Sequence, residues 1–215
     1  MDFETGIFSF FSVFIVWSAG AMIVMIILGV FLLTRSKFIP ESICNVRTFI
    51  VGWLSVDAIL ILSLDKVSVY LTDVAEKVLS KGANFNHRVR MWSSAMRYIK
   101  ESPFIGVGVK TPETFKDMLV GVSHTHNLLL NIVLRGGIFA LVSFVAVLLC
   151  STSCVYAHKS EYIAKCMSFA LLCCFVLSMA DCYDDIYFYM ILGICSCYEH
   201  IVAENGEKSD CEKAI

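Results

Sequence analysis

Charge is scarce in this sequence and neither sign dominates: 17 Lys and Arg stand against 19 Asp and Glu, together 17% of the chain, for a net of -2. A nucleic-acid binder concentrates basic residues on one face, so nucleic acid is not an expected partner. Room is short too. At about 150 residues per domain, a chain of 215 residues leaves no space for a separate soluble catalytic domain. The polar stretch from Asp65 to Asn127 contains none of the ten cysteines, which argues against the disulfide framework of a small secreted domain. Most of the thiols lie in apolar runs, where cysteine packs as a small hydrophobe. Cys195-x-Cys197 lacks the second ligand pair that a zinc site requires. What the sequence has in abundance is apolar residues, 58% of the chain, with a mean hydropathy of +0.74. The expectation is an all-α polytopic membrane protein whose chemistry sits on the membrane domain.

Five spans are expected. Residues 7–34 carry no charge and exceed the ~20 residues that cross ~30 Å of hydrocarbon at 1.5 Å per residue. The start, Met1-Asp2-Phe3-Glu4, lacks the positive segment of a signal peptide, so no cleavage is expected. Further spans are read at 48–64, interrupted by Asp57, at 128–157, at 163–180 and at 186–203, the last two joined by a tight hairpin. Lys165, Glu199 and His200 fit these only by reaching toward headgroups. Arg35, Lys37 and Arg47 follow the first span, and Lys159 and Lys165 follow the third; by the positive-inside bias those connections face the cytoplasm. The hairpin with Asp181, Asp184 and Asp185 and the 65–127 loop then lie outside. The tail, 204–215, is expected to be disordered and cytoplasmic. An external start without a preceding helix points to a missing upstream half, with the chain as the carboxyl-terminal half of a split enzyme whose upstream half is separately encoded, or of a truncated one.

The external loop is long and not low-complexity, which makes it the place to look for function. Val67, Leu71, Val74, Val78 and Leu79 recur at helical spacing, as in an amphipathic helix on the bilayer surface. A second helix is expected from Arg88 to Lys100, with Val89, Trp92, Met96 and Ile99 on one face and Arg90 and Arg97 on another. Pro103 ends it, and 104–108 should be extended. Thr111 and Pro112 read as the N-cap and first position of a short third helix.

Where the loop returns to the membrane, His124, Asn127, Asn131 and Arg135 are spaced 3, 4 and 4 apart, one stripe on an otherwise lipid-like helix. Burying such groups in lipid without partners costs on the order of several kcal/mol. The stripe is therefore expected to line a hydrated cavity open to the outer face. Asp57 and Arg135 each fall roughly 12 Å below the outer boundary by helical rise and are expected to approach each other.

Arg88-x-x-x-Trp92, then Ser-Pro103-Phe-Ile-Gly106-x-Gly108, then His124-x-His126-Asn127 running into Leu-Arg-Gly-Gly-Ile-Phe-Ala-Leu141, resemble in order and spacing the O-antigen ligase and O-antigen polymerase family of bacterial inner membranes. The resemblance covers about residues 85–145. It implies a glycosyltransferase, active in the periplasm, that moves a glycan from an undecaprenyl-diphosphate carrier to an acceptor hydroxyl, of lipid A core in ligases or of another repeat unit in polymerases. It implies functional roles for Arg88 and His126, with His124 as a second imidazole. The residues' own chemistry adds Arg90, Arg97 and Arg135 as sources of positive field, and Asn127 and Asn131 of the polar stripe as substrate contacts. Family members are usually longer, carry a further external arginine upstream and often have an acidic or amide residue where this chain has Arg135.

The chemistry suits those residue types. A lipid diphosphate leaves readily if its charge is held, and a guanidinium matches phosphate oxygens bidentately at any relevant pH. An imidazole with its ordinary pKa of about 6.5 is largely neutral at pH 7 and can accept the proton of the attacking hydroxyl. No metal or other cofactor is called for. Plainer readings stand beside these: the histidines as interfacial anchors, the arginines as a solvated face, Trp92 as core, Asp57 as a packing partner, Gly106 and Gly108 as weak evidence for phosphate, and Gly136-Gly137 as either a kink or a close helix contact. A non-catalytic membrane protein or assembly partner is the competing functional class.

Overall fold

The computed structural model describes residues 45–63, 82–180 and 186–202, together with residues 24, 26, 27 and 29. Among these the regular elements are all helical: α1 (Val46–Leu62), α2 (Gly82–Glu101), α3 (Pro112–Met118), α4 (Leu128–Ser151), α5 (Ser153–Ala157), α6 (Tyr162–Ala180) and α7 (Ile186–Ser196). Residues 24, 26, 27 and 29, inside the first expected span, are helical as well. The rest of that span, the amphipathic segment 67–79, the acidic hairpin at 181–185 and the tail 204–215 lie outside the described residues.

Two helices depart from the sequence reading. The loop helix begins at Gly82, not Arg88. The third apolar segment is not one helix to residue 157: α4 ends at Ser151 and α5 restarts at Ser153. There Thr152 and Ser153 donate their hydroxyls to the carbonyls of Leu148 (2.7 Å) and Cys150 (2.8 Å), local bonds that compete with the helical ladder.

α4 and residues 162–179 of α6 are long and apolar enough to cross a bilayer. Only 17% of the most apolar stretch of α4 is buried in the protein, whereas the core helix of a soluble protein would be mostly covered. Val142, Val147 and Leu149 stand exposed along it. Lipid is the solvent that such a surface requires.

The chain divides into two compact units. One comprises Met1–Ile50, Ala146–Cys174 and Asp185–Ile215. Within it Phe49 meets Phe169 edge-on at 5.3 Å, the Arg47 guanidinium lies 3.9 Å from the centre of the Tyr156 ring, and Tyr198 donates to Glu161 Oε2 at 2.8 Å. The other comprises Val51–Val145 and Phe175–Asp184 and contains the described part of the 65–127 loop. Its core unites Met91, Trp92, Ala95 and Ile99 of α2 with Phe115 of α3, Leu119, and Leu130 and Leu134 of α4. Trp92 and Ile99 are buried as the helical spacing predicts, but Met91 and Ala95 complete the face in place of the half-buried Val89 and Met96. Trp53 of α1 stacks on Phe175 at 4.6 Å.

The feature that orders this unit is a break in α4. Gly137 has φ 64 and ψ -161, which opens the two helical hydrogen bonds that residues 138 and 139 would make to the carbonyls of 134 and 135. All four freed groups are taken up by the segment after α2. Val107 and Gly108 donate their amides to the carbonyls of Leu134 (2.8 Å) and Arg135 (2.9 Å), and Ile138 and Phe139 donate theirs to Pro103 (2.9 Å) and Phe104 (3.3 Å). We call residues 103–108 the strap. Ser102 closes its near end, accepting from the Gly106 amide at 3.0 Å and donating its hydroxyl to the Gly106 carbonyl at 2.8 Å.

Two glycines make this approach possible. A Cβ on Gly106 would stand 2.5 Å from the carbonyl carbon of Arg135, and one on Gly137 would run into the backbone of Phe104. Gly137 also occupies a backbone region that is essentially glycine's alone. Gly137→Ala and Gly106→Ala are each expected to destabilise the protein by on the order of 3 kcal/mol or more, from backbone strain and displacement of the strap. Gly52→Ala, in open space on α1, should be neutral or slightly stabilising. Thermal unfolding of the three variants in detergent checks the ranking, and equal midpoints would contradict it.

Candidate functional site

The strap delivers its continuation to one place. Just beyond Gly108, Lys110 joins Pro112, Phe115, Ser123, His124, Asn131 and Arg135 around a cavity of about 310 Å³, at the small end of ligand-sized pockets. Among the described residues the lining holds two cations and no carboxylate. Thr111 caps α3 by accepting the Thr114 amide at 3.3 Å, with Pro112 at the first turn, as the sequence predicts. This cap sets the α3 end of the cavity and directs Phe115 into the core.

The Arg135 guanidinium lies 4.6 Å from the centre of the Phe115 ring. Stacking fixes the plane of a guanidinium while leaving its edge donors available to an anion. Arg135 Nε and Asn131 Oδ1 are buried with no hydrogen-bond partner among the described residues. A buried donor and a buried acceptor left open on the same wall are groups that a ligand or ordered water would satisfy. Ser123 Oγ lies 3.2 Å from His124 Nδ1.

The histidine segment is held from three sides. Trp92 donates its indole N–H to the Thr125 carbonyl at 2.6 Å. The Thr125 hydroxyl donates to the Asn127 carbonyl at 2.8 Å. Asn127 accepts the Leu130 amide with its side-chain oxygen (2.8 Å), capping α4, and donates Nδ2 to Asp57 Oδ1 at 2.7 Å. Between these anchors His126 adopts φ 48, a left-handed conformation uncommon for a residue with a Cβ. Its ring centre lies 4.2 Å from that of His124.

The structure therefore sorts the residues singled out from the sequence. His124, Asn131 and Arg135 line the cavity together. Asn127 is buried outside the lining, engaged in the cap and with Asp57. His126 stands beside His124 but is not in the cavity lining. Arg88 is half-buried on α2, one turn before Trp92 and so on the helix face that reaches the histidine segment. Arg90 and Arg97 are exposed on α2, outside the cavity lining.

One expectation is corrected. Asp57 does not pair with Arg135: its hydrogen bond comes from Asn127, its Oδ2 has no partner among the described residues, and Arg135 turns to Phe115. The reason is that His124 and Asn127 precede the helix, which starts at Leu128, so the four polar residues do not share one helical stripe. Asn127 turns inward to Asp57, while Asn131 and Arg135 face the cavity. Lys110, Ser123 and Phe115 were not singled out for function. Lys110 carries no local signal, because only the strap bonds to Leu134 and Arg135 bring it to the wall.

A family model described as O-antigen ligase matches residues 5–145, more than half of the chain. No curated protein and no solved structure matches it. The matched region contains α1, α2, α3, the strap, every cavity residue and the break in α4. The chain belongs to the O-antigen ligase family, whose role is of ligase or polymerase type in surface-glycan biosynthesis at a membrane.

Proposed function

We propose that this protein transfers a glycan from an undecaprenyl-diphosphate carrier to an acceptor hydroxyl, on lipid A core or on a growing surface polysaccharide, at the periplasmic face of a bacterial inner membrane. It does so as a multi-pass protein of five spans. The observation that carries this reading is the cavity at the head of α4, where Lys110 and Arg135 meet His124 with no carboxylate among the described lining residues.

In the reaction the bond between the anomeric carbon and the diphosphate oxygen breaks, and the acceptor oxygen takes its place. Lys110 and Arg135 hold the charge that develops on the leaving diphosphate, the task for which fixed cations in a partly enclosed site are most effective. The His124–His126 pair accepts the hydroxyl proton, with His126, whose backbone is held in the left-handed region, as the base and His124 as its neighbour at the wall. Asn131 Oδ1 accepts from a sugar or acceptor hydroxyl. Arg88 adds positive field from α2 behind the histidine segment. Arg90 and Arg97 serve the surface of α2, not the transfer.

Transfer assayed with lipid-linked donor in membranes tests these roles. His126→Ala is expected to lower the rate by ~10² or more, and Arg135→Ala or Arg88→Ala by ~10²–10³, while each variant stays in the membrane. Arg90→Ala and Arg97→Ala should stay close to the parent. Full activity in His126→Ala would refute the base assignment. Complementation of ligase-null and polymerase-null strains separates the two acceptor classes, since loss of ligation removes every ladder band and loss of polymerisation leaves one repeat unit. Because no metal takes part in this scheme, EDTA is expected to leave the rate unchanged; inhibition reversed by a divalent cation would overturn that part of it.

A further inference from the structure

The strap presents an apolar tip that nothing in the transfer chemistry uses. Phe104 is 62% exposed and Ile105 70%, although both belong to a segment bonded on its other side to α4. Phe104 meets Phe139 at 6.2 Å between ring centres, and Phe139 itself is 63% exposed. Ile138 and Val142 continue this bare surface down α4. Phe104, Ile105, Ile138, Phe139 and Val142 thus form one uninterrupted apolar flank that begins on the strap and passes onto the spanning helix.

The register of the break says what covers that flank. No charged residue occurs from Ile138 through the rest of α4 and α5 to Ala157; at 1.5 Å per helical residue the two together supply close to the ~30 Å of a hydrocarbon core, less what the interruption at Thr152 takes away. Arg135, the last charged residue before this stretch, lines the cavity with Lys110. The outer boundary of the hydrocarbon therefore falls near Gly136 and Gly137. The amides of Ile138 and Phe139 are bonded to Pro103 and Phe104, so the strap tip is level with the first residues of the span. Apolar side chains at that level, in continuity with a lipid-facing helix, are solvated by acyl chains and not by water.

We propose that Phe104 and Ile105 form a wedge inserted into the outer leaflet beside α4, which seats the Lys110–Arg135 cavity in the plane of the phospholipid headgroups. The inference rests on the membrane reading of α4 and not on the transfer chemistry. It explains how a diphosphate on a membrane-bound carrier would meet the cations without leaving the interface: the wedge fixes the depth of the strap, and the strap fixes the depth of Lys110.

Photocrosslinking in vesicles of phosphatidylethanolamine and phosphatidylglycerol tests it. The full chain is prepared with p-benzoylphenylalanine at one position at a time: Phe104, Ile105, Val142 as the site within the span, or Lys110 as the aqueous site. The expected result is a mass increase of one phospholipid, attached through an acyl chain, from positions 104, 105 and 142 and not from 110. An adduct at 142 with none at 104 or 105 would overturn the wedge and leave the span intact. No adduct at any position would overturn both. Crosslinked dimer at 104 or 105 would overturn the wedge in favour of a second copy covering the flank. Phe104 is replaced by a residue of its own kind and Ile105 projects from the same tip, so either position alone decides the case.

Discussion

Four backbone hydrogen bonds between the strap and the broken helix α4 hold the region that carries the cavity in place. Turning Gly137 out of helical geometry opens two intrahelical bonds, and the strap supplies a partner for each of the four groups released. Near the edge of a bilayer, water cannot be relied on to satisfy them, and each orphaned group would cost on the order of several kcal/mol. The exchange is possible only because Gly106 and Gly137 let two backbones approach within the reach of a Cβ. Strap and helix thus become one rigid object although some 30 positions separate them in sequence.

The consequence for chemistry is placement. Lys110 follows directly from the strap, and Arg135 is the residue whose carbonyl the strap binds, so one set of backbone bonds sets the separation of the two cations. Phe115 fixes the plane of the Arg135 guanidinium, and the cap of α3 fixes Phe115 in turn. The histidines are positioned independently, by Trp92 through the Thr125 carbonyl and by Asp57 through Asn127. Holding donors and acceptors in prearranged positions is what lets a site stabilise developing charge without reorganising. Asp57, buried within an apolar helix, does its work as an anchor beneath the histidine segment.

Much of the helical framework was legible in the sequence, because uncharged runs and an apolar face at helical spacing are local signals. Trp92 and Ile99 read as core, Thr111-Pro112 read as a cap and first turn, and the segments about 48–64, 163–180 and 186–203 each contain a helix. The site was legible in part. His124, Asn131 and Arg135 were selected by their polarity in an apolar context, and they do share a wall. What spacing could not convey is where the helix begins. With the start at Leu128, Asn127 turns to Asp57, and the expected Asp57–Arg135 contact does not form. Lys110 was invisible for a different reason: it reaches the site through backbone pairing between 107–108 and 134–135, and backbone pairing leaves no side-chain pattern. The glycines of Gly106-x-Gly108 and Gly136-Gly137 pointed equally well to phosphate binding, a kink or close packing, and only their mutual approach decides among these.

The account stands or falls on the strap being bonded into α4 in the membrane-embedded protein. Hydrogen–deuterium exchange resolved to single amides is the most direct test, read at Val107, Gly108, Ile138 and Phe139. The bonds described here predict that all four exchange many-fold more slowly than free peptide amides, with the two loop amides as protected as those on the helix. Exchange of Val107 and Gly108 at the rate of an unstructured loop, beside a protected α4, would contradict the account.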